Sequence, residues 1–194
     1  MIDDAHDLVE AVASDQGLQL AAVGGTVLFG ADQYGADILR LWALSVDSTE
    51  DHRIGDEILK GAGDQYRKLR NTFRYLLGAL DGWTEAEALP REEMPSLERW
   101  VLHRLAELDG HIRAAYDVYD FKRIMSLLIN FCGVDLSAVY FDIRKDSLYC
   151  DPRFETQSAW DDKTATYGNR RRAARTVMAA VLERLLTWLA PIMP

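Results

Sequence analysis

From Tyr34 onward, apolar residues recur with a period of about 3.6, which is typical of helices that bury one face. The pattern predicts helices in residues 35–45, from roughly Glu57 to Leu80, in residues 97–116 and 121–143, and from about Arg170 to Leu189. Ser96 and Asp120 precede two of these apolar runs and are predicted N-caps. Five or six helices with a few short connections indicate an all-α helical bundle.

Residues 1–33 have a different pattern. Ala5, Leu8 and Val12 stand at helical spacing and predict a short helix. In LQLAAVGGTVLFG, two β-type runs flank Gly24 and Gly25 and predict a small β-hairpin, which is the only strand signal in the sequence. We therefore treat residues 1–33 as a segment separate from residues 34–194.

Composition and charge exclude several classes of protein. The net charge of −9 repels a phosphate backbone, so any nucleic-acid contact must come from a local basic face. Cys132 and Cys150 have no CxxC spacing or His cluster beside them, so neither a zinc site nor a disulfide framework is predicted. No apolar run reaches membrane-spanning length, and residues 1–17 are acidic and lack the charged start and apolar centre of a signal peptide. These features predict a cytoplasmic protein that does not contact a membrane.

One face of the long helix carries positive charge. Five residues fall within about 50° of one line when each residue turns the helix by 100°, and we call them the basic stripe: Lys60, Arg67, Arg70, Asn71 and Arg74. The predicted buried side, which includes Ile58, Leu69 and Leu76, lies opposite. Guanidinium groups in such a row suit the phosphates of a nucleic-acid strand. An ordinary solvated face, paired with nearby aspartates, is the alternative.

A second basic cluster stands at the predicted start of the last helix and consists of Arg170, Arg171, Arg172 and Arg175. Positive charge there opposes the helix dipole, so the cluster needs a partner. Acidic residues of the same fold, such as Asp161 and Asp162, are one candidate. The other is an RNA phosphate, contacted by Arg171 and Arg175.

Catalytic patterns are missing from the sequence, which has no phosphate-binding loop, no GxSxG, no HExxH and no GxGxxG between a strand and a helix. Asn130 and Asp135 interrupt an apolar run and need hydrogen-bond partners if buried, supplied by the fold or by a ligand. After them, Tyr140 and Ile143 are predicted to pack in the core. Arg144 is predicted to mark the helix end, where cations complement the carbonyl dipole.

Seven segments resemble, in order, the C-terminal part of bacterial-type isoleucyl-tRNA synthetase. They are YGADILRLW (34–42), D-x-x-x-D-x-R-I-x-x-E-I-L (47–59), YRKLRNTFRYLLGAL (66–80), YDFKRI (119–124), NFCGVDLSAVYFDIRKDSLYC (130–150), RRRAARTVM (170–178) and LAPIMP (189–194). The resemblance covers residues 34–194, whereas residues 1–33 depart from the family. Gly133 and Ser147 stand where the family pattern leads us to expect Ser and Arg.

The resemblance implies the α-helical anticodon-binding domain that follows the catalytic domain, truncated at its C-terminal end. In that family the domain grips the anticodon stem and loop of the isoleucine tRNA. Activation of isoleucine with ATP and Mg takes place in a catalytic domain whose signature motifs this sequence lacks, so the chain is expected to need no cofactor. The resemblance favours an RNA contact by the basic stripe, with Arg67, Arg70, Asn71 and Arg74 as its centre.

Three hypotheses about function stay open. The chain is a tRNA-binding domain without catalytic activity alone, or a non-catalytic remnant that serves as a protein-interaction or dimerisation module through residues 1–33. The third is a subunit that acts together with a separate catalytic half.

Overall fold

The computed structural model describes residues 34–46, 54–150 and 162–193, with only the backbone of residues 162–168. These residues form two compact units, one formed by the chain up to Tyr66 and one from Arg67 to Ile192. In the described ranges all regular structure is helical, which confirms the all-α prediction. The helices are α1 (Ala36–Ser45), α2 (Asp56–Ala79), α3 (Ser96–Asp117), α4 (Phe121–Tyr149) and α5 (Asp162–Leu189). The predicted helix and hairpin in residues 1–33 lie outside the described residues.

The first unit contains α1 and the N-terminal part of α2. Leu41 of α1 is fully buried, as the apolar pattern predicts. The Tyr34 hydroxyl donates a hydrogen bond to the Asp56 carboxylate at the start of α2. Gly63 faces Ile38, whose Cδ1 lies 3.6 Å from the position that a Cβ at residue 63 would take. α1 therefore packs closely against a part of α2 that is built from small residues.

α2 agrees with the sequence prediction to within one residue at each end. Its buried side is formed by Leu59, Ala62, Leu69, Thr72, Leu76 and Ala79. The prediction that Ile58 is buried is wrong, because Ile58 is 42% exposed and Leu59, one position further along, takes its place. After α2, Gly82 adopts a φ of +65°, a conformation that glycine tolerates without steric cost, within a turn closed by the hydrogen bond from the Trp83 N–H to the Leu80 carbonyl.

The second unit is a bundle in which α3 packs against both α4 and α5. At one end, the Tyr140 hydroxyl of α4 lies 3.4 Å from the Glu98 carboxylate of α3 and 3.3 Å from the Ala174 carbonyl of α5. At the other end, the Tyr116 hydroxyl of α3 donates to the Trp188 carbonyl of α5 at 2.6 Å. α3 and α5 therefore run in the same direction, and α4 runs between them in the opposite sense.

Residues Phe131–Phe141 of α4 form a π-helix, a wider turn that is rare at this length. The Ser137 hydroxyl donates to the Cys132 carbonyl five residues earlier, at 2.7 Å. Buried residues here are spaced four or five apart, at Phe131, Leu136 and Tyr140, instead of the three or four of an α-helix. The wider turn brings Tyr140 and Phe141 into the core together.

Several predicted boundaries and contacts differ from the structure. α4 continues to Tyr149, six residues beyond its predicted end, and Ile143 is 52% exposed. The prediction that Ser96 caps α3 is wrong, because Ser96 is its first helical residue and no side chain bonds to the helix start. The prediction for Asp120 is confirmed, since its carboxylate accepts a hydrogen bond from the Arg123 N–H at 3.0 Å.

α4 is also the one described helix that is long and apolar enough to cross a membrane, which the sequence analysis did not anticipate. Polar residues interrupt the apolar runs of its sequence, but the helix is 29 residues long and apolar over most of that length. Leu128, Leu136 and Tyr140 are inaccessible to solvent. A core helix of a bundle has the same composition, and the contacts of α4 with α3 and α5 account for it.

The two cysteines differ in their surroundings, which leads to a test of the core. Burial raises the pKa of the Cys132 thiol to about 12, whereas Cys150 is exposed. The thiolate is the reactive form of cysteine. We therefore expect an aromatic disulfide reagent at pH 8 to label Cys150 rapidly in the folded chain, and Cys132 only in denaturant. The Cys150→Ser variant should show no rapid labelling. Rapid reaction of both thiols would contradict the packing of α2 on α4.

Candidate nucleic-acid interface

The residues of the basic stripe belong to α2, Lys60 to its part in the first unit and the other four to its part in the second. All five side chains are exposed, and Lys68, which the sequence analysis left out, is exposed as well. No hydrogen bond or ion pair within the described ranges involves the side chains of Arg70, Asn71 or Arg74. Arg67 does take part in an interaction within the chain.

Lys60 differs from the rest of the basic stripe because acidic residues of its own helix hold it. Its ammonium group lies 2.5 Å from the Asp56 carboxylate and 3.6 Å from that of Glu57. The hydrogen bond to Asp56, and then the charges of Asp56 and Glu57, raise the pKa of Lys60. A phosphate would have to compete with these carboxylates for Lys60.

Beside the basic stripe, α2 is fixed to α4 by an aromatic stack. The rings of Tyr75 and Phe141 lie 4.2 Å apart with an angle of 22° between their planes. Burial, and then the nearby Tyr149, raises the pKa of Tyr75 to about 12, so its hydroxyl stays protonated in the physiological range. This contact and the burial of Leu69 and Leu76 hold one face of α2 in the bundle and leave Arg70, Asn71 and Arg74 towards solvent.

The second basic cluster does not stand at a helix start, because α5 begins at Asp162, eight residues before the predicted position. The Arg175 guanidinium is 5% exposed and donates to the Glu87 carboxylate and to the Asp81 carbonyl, both at 2.7 Å. Arg172 donates to the Glu87 carbonyl at 3.1 Å. These bonds tie residues 81–89 onto α5 and make Glu87 the carboxylate partner of Arg175. The side chains of Asp161 and Asp162, the predicted partners of the cluster, lie outside the described residues.

The predicted RNA-binding residues of α5 differ from those of α2 in how far they are engaged within the fold. Arg175 is buried and its two terminal nitrogens are engaged, so the structure offers no access for the RNA phosphate that was one of its two predicted partners. Arg171 is half-buried and takes part in an interaction within the chain. The Leu89 N–H also donates to the Thr176 hydroxyl at 3.1 Å, which adds a further bond between residues 81–89 and α5. Arg172 and Arg175 therefore contribute chiefly to the fold.

A buried ion pair, which the sequence analysis missed, lies inside the bundle near the end where α3 begins. The Arg144 guanidinium donates to both oxygens of Glu98, at 2.6 and 2.7 Å, and Glu98 is fully buried. The prediction that Arg144 complements the end of its helix is wrong, since α4 continues past it and its partner comes from α3. Burial is the main reason that the pKa of Tyr140, beside the pair, is raised.

The polar interruptions of α4 also find structural explanations. Asp135 accepts a hydrogen bond from Arg104 of α3 at 3.2 Å, and Asn130 is exposed. Among the residues that the structure describes, no group of three His, Cys, Asp or Glu could hold a metal ion. On α2, the side chains of Arg70, Asn71 and Arg74 are exposed and have no polar partner in the described ranges. Their guanidinium and amide groups are hydrogen-bond donors that match phosphate oxygens.

Comparisons with known proteins identify the family. A family model described as the anticodon-binding domain of tRNA ligase matches residues 98–194. An isoleucine–tRNA ligase of Ruegeria pomeroyi is 56% identical over 162 residues, which is 83% of this chain and 15% of that protein. An isoleucine–tRNA ligase of Gluconobacter oxydans is 48% identical over 185 residues, 94% of this chain and 18% of that protein. An isoleucine–tRNA ligase of Agrobacterium fabrum is 44% identical over 183 residues, with shares of 93% and 18%.

The chain thus spans less than a fifth of the length of these relatives. The alignment with the Gluconobacter protein is longer than the segment of residues 34–194, so it includes part of residues 1–33. The domain boundary at residue 33 stays a prediction. The chain belongs to the family of isoleucine–tRNA ligases and corresponds to a part that contains the anticodon-binding domain.

Proposed function

We propose that the chain binds the anticodon stem and loop of the isoleucine tRNA, with Arg67, Arg70, Asn71 and Arg74 of the basic stripe on the RNA backbone. The main support for the proposal is that Arg70, Asn71 and Arg74 are exposed and have no polar partner in the described ranges. Several other arginines are paired, such as Arg104 with Glu107 and Arg113 with Asp109. In a protein of net charge −9, a row of unengaged cations is available to an external anion.

The spacing of these residues supports contact with a strand. Positions 67, 70, 71 and 74 follow one another at i, i+3, i+4 and i+7, so they share one helix face. Seven residues of an α-helix rise about 10 Å, so the row is long enough to contact more than one phosphate of a strand. Arginine side chains suit this contact because their forked donors pair with two phosphate oxygens at once.

Within a whole ligase, the proposed role is to hold the tRNA while a separate catalytic domain joins isoleucine to it with ATP and Mg. In this proposal the chain contributes no catalytic group, needs no cofactor of its own and acts in the cytoplasm. A protein-interaction module is the competing function. A dimer that disappears when residues 1–33 are deleted, together with no binding of tRNA, would favour that function instead.

The test is the salt dependence of affinity for an isoleucine tRNA transcript. We expect binding that weakens as salt rises, because each phosphate contact releases counterions. Arg70→Gln and Arg74→Gln should each weaken binding and reduce the slope of log affinity against log salt by about 0.7–0.9. Arg99→Gln, which removes an exposed arginine of α3, is the matched control and should leave the slope unchanged. Equal slopes in all four proteins would exclude this face of α2 as the contact.

A further inference from the structure

The turn between α3 and α4 contains a residue in an unusual backbone conformation. Tyr119 has a φ of +59° and is the one non-glycine residue with positive φ in the described part of the chain. Side chains other than those of glycine, asparagine and aspartate are rarely found in this left-handed region, because the Cβ crowds the backbone. The turn itself would form more easily with glycine, so the tyrosine side chain needs a separate explanation.

Burial in the core does not supply that explanation. The Tyr119 side chain is 78% exposed and the preceding Val118 is 71% exposed. A large aromatic group at such a position gains little from hydrophobic burial within the chain. Exposed aromatic rings are instead common where a protein binds another molecule.

One side of the ring faces an aromatic neighbour that is itself supported by the bundle. Tyr119 lies 6.3 Å from the Phe121 ring, and Phe121 meets the Tyr116 ring edge-on at 5.9 Å. The Tyr116 hydroxyl in turn donates to the Trp188 carbonyl of α5 at 2.6 Å. A ring supported in this way loses little freedom when a ligand stacks on it, which favours binding.

The residues after the turn add positive charge. Lys122 and Arg123 are both exposed in the first turn of α4. The Asp120 carboxylate between them and Tyr119 caps α4 through the Arg123 N–H. Asp117 is also exposed, so the turn is not strongly basic and attraction of phosphate alone would be weak. An aromatic ring with cations nearby is the combination used to bind unpaired nucleotides, where stacking supplies most of the affinity.

We infer that Tyr119 is a stacking platform for an unpaired nucleobase of the bound RNA, with Lys122 and Arg123 close to the neighbouring phosphates. The inference rests on the proposed function, since it takes RNA as the ligand. It deepens that function by adding a contact with a base to the phosphate contacts of the basic stripe. Stacking releases few counterions, so the two kinds of contact have different salt dependence.

Three variants isolate the ring. Tyr119→Phe keeps it, Tyr119→Leu removes it while retaining an apolar side chain in the strained backbone, and Tyr119→Gly removes both ring and strain. We expect Tyr119→Phe to bind the tRNA transcript as the wild type does, and the other two to bind about tenfold more weakly. Their salt slope should not change, and the melting temperature of Tyr119→Gly should be no lower than that of the wild type. Equal affinities of the Leu and Phe variants would overturn the inference.

A spectroscopic readout follows the stacked base directly. A short single-stranded RNA that contains 2-aminopurine should lose fluorescence on binding to the wild type and to Tyr119→Phe. It should keep its fluorescence when bound to Tyr119→Leu at saturating protein. Equal quenching by the Leu and Phe variants would refute stacking on Tyr119. So would a change in self-association of Tyr119→Leu with unchanged RNA binding, which would assign the turn to a protein contact.

The proposed function and this inference can fail separately. If the wild type binds no tRNA, the proposed function fails irrespective of residue 119. If Arg70→Gln and Arg74→Gln weaken binding but the Leu and Phe variants of Tyr119 bind equally, the basic stripe stands and only the stacking contact fails.

Discussion

Replacing Glu98 by alanine is expected to lower the free energy of unfolding by about 3–5 kcal/mol, because it leaves the Arg144 guanidinium buried without its partner. Glu98 is fully buried, and both of its oxygens accept hydrogen bonds from Arg144. The Tyr140 hydroxyl next to them would lose one of its two neighbours. Urea denaturation measures the loss, and the melting temperature should fall by roughly 6–20 °C.

Two further variants separate the charge from the packing. Glu98→Gln keeps the shape and one acceptor oxygen, so we expect an intermediate loss. The double variant Glu98→Leu, Arg144→Met removes both charges and replaces them with apolar groups of similar size. It should recover much of the stability, because replacing both members of a buried ion pair by apolar residues of similar volume generally costs little. A cost of less than about 1 kcal/mol for Glu98→Ala would show that the pair is not desolvated in solution.

Reversing three charges of the basic stripe, as Arg67→Glu, Arg70→Glu and Arg74→Glu together, should weaken tRNA binding by about a hundredfold or more. Each substitution removes a charge-assisted contact, worth about 1.5–3 kcal/mol where it forms fully, and adds a repulsive carboxylate. The three positions are exposed, so the melting temperature should change little. Binding is measured by fluorescence anisotropy with labelled tRNA transcript at fixed salt.

The matched control reverses three exposed basic residues outside α2, namely Arg91, Arg99 and Lys145. Both triple variants change the net charge equally, so a non-specific effect of charge would weaken both to the same degree. If the control loses as much affinity as the α2 variant, the basic stripe is not the contact surface.

The length and face of α2 could be predicted from the sequence because amphipathic periodicity persists over its 24 residues. The start of α5 could not be, since residues 162–169 are mostly polar and carry no apolar period. The π-helix of α4 was missed for a related reason. Its buried residues follow a spacing of four to five, which a search for the period of 3.6 does not detect.

The buried ion pair had a detectable signal that the sequence analysis did not use. Glu98 stands in register with Val101, Leu105, Leu108 and Ile112, all of them buried on the same face of α3. A charged residue in such a series predicts a buried partner. The identity of that partner could not be predicted, because Arg144 lies 46 residues away and the π-helix sets its orientation.

The position of the candidate site could be predicted from the sequence, but which of its side chains are already paired within the chain could not. The sequence places Arg70, Asn71 and Arg74 on the polar face of α2, and the structure agrees. Which cations are already paired depends on contacts between distant segments, as the Arg175–Glu87 pair illustrates. The backbone conformation of Tyr119 has no signal in the sequence, because a tyrosine normally argues against a left-handed turn.

The attachment of residues 81–89 to α5 also constrains the order of folding. The Arg175–Glu87 pair closes a loop between positions 88 residues apart, and the entropy of closing that loop must be offset when the pair forms. α3 and α4 are joined by a short turn and can associate early. The bonds that hold the segment after α2 to Arg172, Arg175 and Thr176 can form only when α5 is present, so we expect this attachment to form late in folding.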